Sequence, residues 1–202
     1  MATPPAIATH AAGVRTGVTD VDHIIDAVLA NDIEARRKLV AYLTTPCTTA
    51  HGMGGPPKCA LGEANGTRVE VFPFLGEEGE HLRRQAIDRV LQFTAQGLYG
   101  VYRVPDSAFR AEYWPAGEYG LIFVATGLQR QATVFVDDGR IVRLELSRQE
   151  RWPGKETQGI EWLLLPPPAA AHTSWKAQSP ARPTPGSGES PRRPGIALSK
   201  IV

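Results

Sequence analysis

The sequence predicts an α+β domain: a helical pair and a third helix packed on a curved antiparallel sheet, with disordered termini. Three observations predict it. Apolar residues after Thr19 recur with a helical period, those after Gly97 recur with a period of two, and neither terminus shows a period. The domain is expected over residues 19–147, between an arm at 1–18 and a Pro-rich tail at 148–202.

The arm is rich in Ala, Thr, Pro and Gly, a composition that favours a mobile terminus. Thr19 and Asp22, three residues apart, read as a capping box, and Asp20 suits the positive end of the helix dipole. Val21, Ile24, Ile25, Val28 and Leu29 then fall on one helical face. Asn31-Asp32 interrupts this helix and can cap a second. There Ile33, Leu39, Val40 and Leu43 form the buried side, with Glu34, Arg36, Arg37 and Lys38 solvated. Pro46 ends that helix, because the residue before a proline is pushed out of the α region. Residues 67–75 alternate as a strand, and Pro73 implies an edge position or an early end. Glu77, Glu78 and Glu80 suit the start of a third helix over Glu80–Phe93, which buries Leu82, Ala86, Val90 and Phe93 and leaves Arg83-Arg84 in solvent.

Four strands follow, at Leu98–Val104, Tyr119–Ala125, Ala132–Asp137 and Arg140–Leu146. Asp138-Gly139 is the strongest short-range hairpin signal in the chain. A two-residue turn there sets Asp137 opposite Arg140 and Phe135 opposite Val142, with Thr133, Phe135, Val142 and Leu144 on one face. Leu121–Val124 is apolar on both faces and belongs at the centre of the sheet. Arg103, Glu118, Arg143 and Glu145 alternate with apolar neighbours. Any of them that falls on the concave side becomes a ligand contact or an acid/base.

Past Leu146 no amphipathic period survives, and nine of the 17 prolines lie in the last 55 residues. Translation of GC-rich sequence in a shifted frame would look similar. The tail carries a net charge of +4 and residues 1–147 carry −3, so the domain has no basic footprint for nucleic acid. No stretch reaches the ~20 apolar residues that span a bilayer. Met1–Gly17 lacks the basic and apolar regions of a signal peptide. The expected location is cytoplasmic, with export the alternative if the start of the sequence is mis-assigned.

Between the two halves lies Thr45–Cys59, with both cysteines, three glycines, three prolines and one histidine. A Cys47–Cys59 disulfide would stabilise by roughly 3 kcal/mol through chain entropy, and it is the reading we favour. A cytoplasmic location argues against it. Cys47, His51 and Cys59 could instead supply three zinc ligands, but the paired C-x-x-C spacing is absent and a fourth would have to come from His23 or His81. A catalytic Cys47–His51 pair lacks an identifiable group to orient the histidine. Two small buried thiols are the plainest alternative. The glycines do not form a phosphate loop: the G-x-x-x-x-G-K-[ST] spacing is missing and Cys59 stands where Ser or Thr is needed. No metal or cofactor is therefore expected.

Phe109, Tyr113 and Trp114 place three aromatics in one 14-residue connection, which suggests a loop folded over its own core edge, a ligand or a second subunit. These three and His51 are the candidate ligand-binding residues. The helical pair Val21–Leu43, the helix Glu80–Phe93 and the strands from Leu98 to Leu146 are together similar in order to the NTF2-like (SnoaL-like) superfamily. Ala27–Val40 resembles the first helical turn-around of that superfamily. The Pro-Cys-Thr-Thr-Ala and Gly-Gly-Pro-Pro-Lys-Cys segments resemble small uncharacterised bacterial proteins, and the Cys-bounded loop departs from the usual NTF2-like member. The resemblance implies a fold that hosts isomerases, dehydratases and binding modules, so it does not choose among them. The expected function is a non-catalytic small-ligand-binding or interaction module with an apolar pocket against the sheet, taking a small apolar ligand or forming a homodimer through the sheet. The alternative is a small enzyme doing proton-transfer chemistry there.

Overall fold

The apolar stripe after Thr19 lies against a sheet of eight strands. The computed structural model describes residues 7–52, 55–76, 78–105, 114–127, 130–148 and 160–167. The chain divides into two units, Met1–Ala170 and Ala171–Val202, and every described residue belongs to the first. Helix α1 (Thr19–Leu29) buries Val21, Ile24, Ile25, Ala27 and Val28. The Asp22 carboxylate does not cap Thr19. It reaches back to Thr16, accepting from its backbone N–H at 2.7 Å and its hydroxyl at 2.8 Å. The helix begins at Thr19 itself, so the capping contact falls one turn earlier than expected.

Asn31 takes a positive φ of 55°, and Asp32 caps helix α2 (Ile33–Leu39) by accepting from the Ala35 N–H at 3.0 Å. The expected continuation to Leu43 fails. Leu43–Pro46 is strand β1, because Arg140 takes the carbonyls of Leu39 (3.1 Å) and Val40 (2.8 Å) that another helical turn would use. Arg36 is not solvated either, being 1% exposed. Its guanidinium donates to the carbonyls of Val28, Leu91 and Phe93 at 2.6, 2.6 and 2.7 Å. It thus ties the Val28 carbonyl, near the end of α1, to the segment before the fourth strand.

Strand β2 (Arg68–Leu75) runs straight through Pro73. The expected helix Glu80–Phe93 is divided into strand β3 (Gly79–Arg83), a 3₁₀ turn at Arg84–Ala86 and a short helix α3 (Asp88–Leu91). Leu82 and Val90 are buried as expected, but Leu82 is buried by pairing opposite Phe72. The free edge of β2 offered Glu80–Leu82 a ladder, and this tertiary pairing outweighed weak helix propensity.

Strands β4 (Thr94–Arg103), β5 (Tyr119–Thr126), β6 (Gln131–Asp137) and β7 (Arg140–Ser147) match the predicted four. Strand β8 (Trp162–Leu164) completes the order β1-β2-β7-β6-β5-β4-β8, with β3 beside β2. The sheet is mixed rather than antiparallel, since Phe74 and Leu75 of β2 run parallel to Leu144 and Glu145 of β7. In the β6–β7 turn Asp138 and Gly139 both have positive φ, 44° and 66°, as a primed hairpin turn requires.

Both ends of the fold extend past the expected domain. His10 donates its N–H to the Leu98 carbonyl at 2.8 Å, Thr9 covers Gly97, and Val14 and Val18 pack on the core. Residues 7–18 are therefore not a free arm. At the other end β8 pairs with β4, setting Leu164 opposite Val101 and Trp162 opposite Tyr102. The expected tail thus contributes a strand. Among the described residues no helix is long and apolar enough to cross a membrane.

Candidate functional site

Alternation along β5, β6 and β7 separates two faces. Leu121, Phe123, Val134, Val136, Ile141 and Leu144 join α1 in the main core. The opposite face carries Gly120, Ile122, Thr133, Phe135, Arg143 and Glu145, and a bulge decides its chemistry. Val136 opposes Ile141, as the turn dictates, but Phe135 opposes Arg143 rather than Val142. Val142 is thus the extra residue on β7. The expected Phe135–Val142 pair is absent, and Leu144 lies on the core face rather than beside Phe135. Arg143 and Glu145 are brought opposite Phe135 and Thr133.

Two cross-strand rows result. Tyr102, Gly120, Phe135 and Arg143 lie side by side across β4, β5, β6 and β7. Gly100, Ile122, Thr133 and Glu145 form the next row. The two glycines leave gaps that large rings fill. A Cβ on Gly120 would stand 2.3 Å from Cζ of Tyr102, and one on Gly100 2.8 Å from Cζ3 of Trp162. The Tyr102 and Trp162 rings touch, with centroids 5.7 Å apart.

Arg143 is 0% exposed. Its Nε lies 3.3 Å from Oε1 of Glu145, its Nη1 donates to the Pro115 carbonyl at 2.8 Å, and its guanidinium carbon stands 3.6 Å from the Phe135 ring centroid. Burial lowers the Arg143 pKa to about 10, against the raising influence of Glu145 and Tyr102. Burial raises the Glu145 pKa, and Arg143 opposes that rise. Tyr102 is pushed up to about 12 by burial and by the Glu145 charge, with Arg143 acting the other way. Desolvation is thus the largest influence on all three groups. Tyr102, Glu145 and Trp162 are partly exposed, whereas Gln131 and Thr133 beside them are buried.

Trp114 is brought to this side of the sheet by the β4–β5 connection. Its neighbour Pro115 holds Arg143, while its own ring lies 4.9 Å from that of His81 and covers Gly79 on β3. Phe109 and Tyr113 lie outside the described residues. His51 is exposed in the Cys-bounded loop, and among the described residues no hydrogen bond or ring contact joins it to Trp114. From the sequence Tyr102 reads as one of the strand aromatics that pack the core and Trp162 as part of the tail, so neither is an expected ligand-binding residue. The signal that could have found them is the pair of mid-strand glycines, Gly100 and Gly120, which mark close approach by another group.

Cys47 and Cys59 form a disulfide-distance pair, Sγ to Sγ 2.01 Å, and among the described residues there is no other cysteine. Disulfides persist in oxidising compartments, which sets this pair against a cytoplasmic location. Glu63 stands beside the pair, and its carboxylate accepts from the Ala60 N–H at 2.8 Å and from Arg83 at 2.6 Å. These two donors hold its pKa below the ordinary carboxylate range. Arg83 therefore does not line a helix but sits half-buried on β3, whereas Arg84 is exposed as expected, in the 3₁₀ turn, where it pairs with Glu70 and lies over the Tyr42 ring. No family model matches the chain, and no curated protein or solved structure matches it.

Proposed function

We propose that the protein is a non-catalytic small-ligand-binding module whose site is the sheet face opposite α1. The Arg143–Glu145 pair forms the polar floor, Tyr102 lies in the same cross-strand row as Arg143, and the Trp162 ring packs against Tyr102. The observation that carries this reading is the fully buried Arg143 on a face that the main core does not use. An ion pair taken out of water is a poor source of stability, because desolvation offsets most of its attraction. Ligand sites, by contrast, are mostly apolar with a few fixed polar groups. The preferred ligand is then a small, largely apolar molecule with one polar group, more polar at one end than an all-apolar pocket implies.

Glu145 favours a second reading. A carboxyl of raised pKa beside a tyrosine is a candidate proton-transfer pair, and the site would then serve isomerase- or dehydratase-type chemistry. Native mass spectrometry of the full-length protein, wild type and Glu145→Gln, tests both. A retained small molecule of unchanged mass in both proteins supports binding. A molecule that wild type converts and Glu145→Gln only retains supports the enzyme. If neither protein retains a molecule and neither enhances anilinonaphthalene sulfonate fluorescence, both readings fail. Trp114→Ala should alter probe uptake only if the β4–β5 connection covers the ligand.

A further inference from the structure

Away from the sheet face, the Cys47–Cys59 loop gathers three ligand-type side chains. Sγ of Cys47, Sγ of Cys59 and a carboxylate oxygen of Glu63 all lie within 4.8 Å of one another. We propose that, once the Cys47–Cys59 bond is reduced, the two thiolates and Glu63 bind a thiophilic divalent cation such as zinc(II), with water as the fourth ligand.

The donor set is the first argument. Two thiolates and a carboxylate suit zinc, and a site with three protein ligands keeps one position open. Glu63 takes the place of His51 as the third protein ligand beside Cys47 and Cys59, and exposed His51 is not needed. Geometry is the second. Zn–S bonds of about 2.3 Å at a tetrahedral angle set the sulfurs about 3.8 Å apart. The Cα atoms of Cys47 and Cys59 are 5.0 Å apart, so side-chain rotation alone can provide that separation.

The third argument is that the loop is held without its sulfurs. Thr48 N–H donates to the Pro57 carbonyl at 2.8 Å and Cys59 N–H to the Thr48 carbonyl at 3.0 Å. Cys47 N–H donates to the Thr67 carbonyl at 2.8 Å, and Gly66 N–H to the Cys47 carbonyl at 2.9 Å. Glu63 is positioned separately by the Ala60 N–H and by Arg83 from β3. Both donors take Oε2, which also stands 3.8 Å from Sγ of Cys47, so they fix the carboxylate beside the sulfurs, as outer partners orient a ligating carboxylate. Cys59 and Glu63 are partly exposed, which provides an entry path and room for the water.

The chemistry balances with a phosphine as reductant. The phosphine takes oxygen from water and becomes a phosphine oxide, and two electrons and two protons convert the disulfide to two thiols. Metal binding then releases the thiol protons. The disulfide and the metal exclude each other, so the loop would report redox state through metal occupancy.

The test uses full-length protein, reduced with a phosphine, desalted without oxygen and titrated with cobalt(II). The expected result is one cobalt per chain, with tetrahedral visible bands and a thiolate-to-cobalt charge-transfer band, both displaced by zinc(II). Unreduced protein should show neither. Cys59→Ser should lose the charge-transfer intensity, and Glu63→Gln should weaken binding by about tenfold or more. The proposal is overturned if reduced protein shows no such bands, if the unreduced protein shows them equally, or if Glu63→Gln binds as tightly as wild type. Loss of the native far-ultraviolet circular dichroism on reduction also overturns it, because the loop would then depend on its sulfurs.

Discussion

The guanidinium of Arg143 lies 3.6 Å from the ring centroid of Phe135, and the two residues face each other only because Val142 is bulged out of β7. A regular ladder would pair Phe135 with Val142 and turn Arg143 toward the helix. The bulge therefore chooses which face of the sheet carries charge.

Removing one partner of the buried pair should be costly. Arg143→Met leaves Glu145 without its counter-charge, and because Glu145 keeps part of its hydration we expect a loss of about 1–3 kcal/mol in urea unfolding. Arg143→Met with Glu145→Leu should lose clearly less than the sum of the single changes. Additive losses would show that the two groups do not act as a pair.

Tyr102 and Arg143 should pull stability in opposite directions at alkaline pH. Tyr102 has a folded pKa of about 12, above its unfolded value near 10. The folded chain thus holds a proton that the unfolded chain has lost, and stability falls as pH rises from 10 to 12. Arg143 has a folded pKa of about 10, well below that of an arginine in the unfolded chain. Its neutralisation in the folded state relieves a burial cost, and stability rises over the same window. Tyr102→Phe removes the first effect and, by taking away a charge that supports the Arg143 guanidinium, does not weaken the second. From pH 10 to 12 the variant should lose less stability than wild type, by up to about 3 kcal/mol. Equal pH dependence for the two proteins would contradict the buried phenol.

Truncation separates β8 from the rest of the expected tail. Cutting after Arg148 removes Trp162, which fills the gap over Gly100, and the Arg103–Glu161 backbone hydrogen bond of 2.8 Å. A loss of about 2 kcal/mol would lower the melting temperature by roughly 4–8 °C in a protein of this size. Cutting after Pro167 should leave it unchanged. If both truncations melt with wild type, β8 does not hold the sheet edge.

Reduction without metal should lower stability by about 2–4 kcal/mol. Under native, non-reducing conditions the thiols should resist alkylation and a chelator should change nothing. Ready alkylation of both cysteines would show that the pair is not oxidised.

Local chemistry was enough to determine the elements whose cause is local. The stripe from Val21 to Val28, the Asp32 cap, the four strands and the turn at Asp138-Gly139 follow from period, capping and φ preference within a few residues. The proximity of Cys47 to Cys59 was also within reach, because both lie in one short loop. Tertiary structure decided where partners came from a distance. The predicted third helix became β3 because β2 supplied a ladder, and the second helix ended at Leu39 because Arg140, 101 residues away in sequence, took its carbonyl. Arg36 was buried by carbonyls from Val28, Leu91 and Phe93, which no helical wheel contains. The candidate site belongs to the same class. Alternation marked Arg143 and Glu145 but could not say which way they point, because one extra residue in a strand reverses every side chain beyond it.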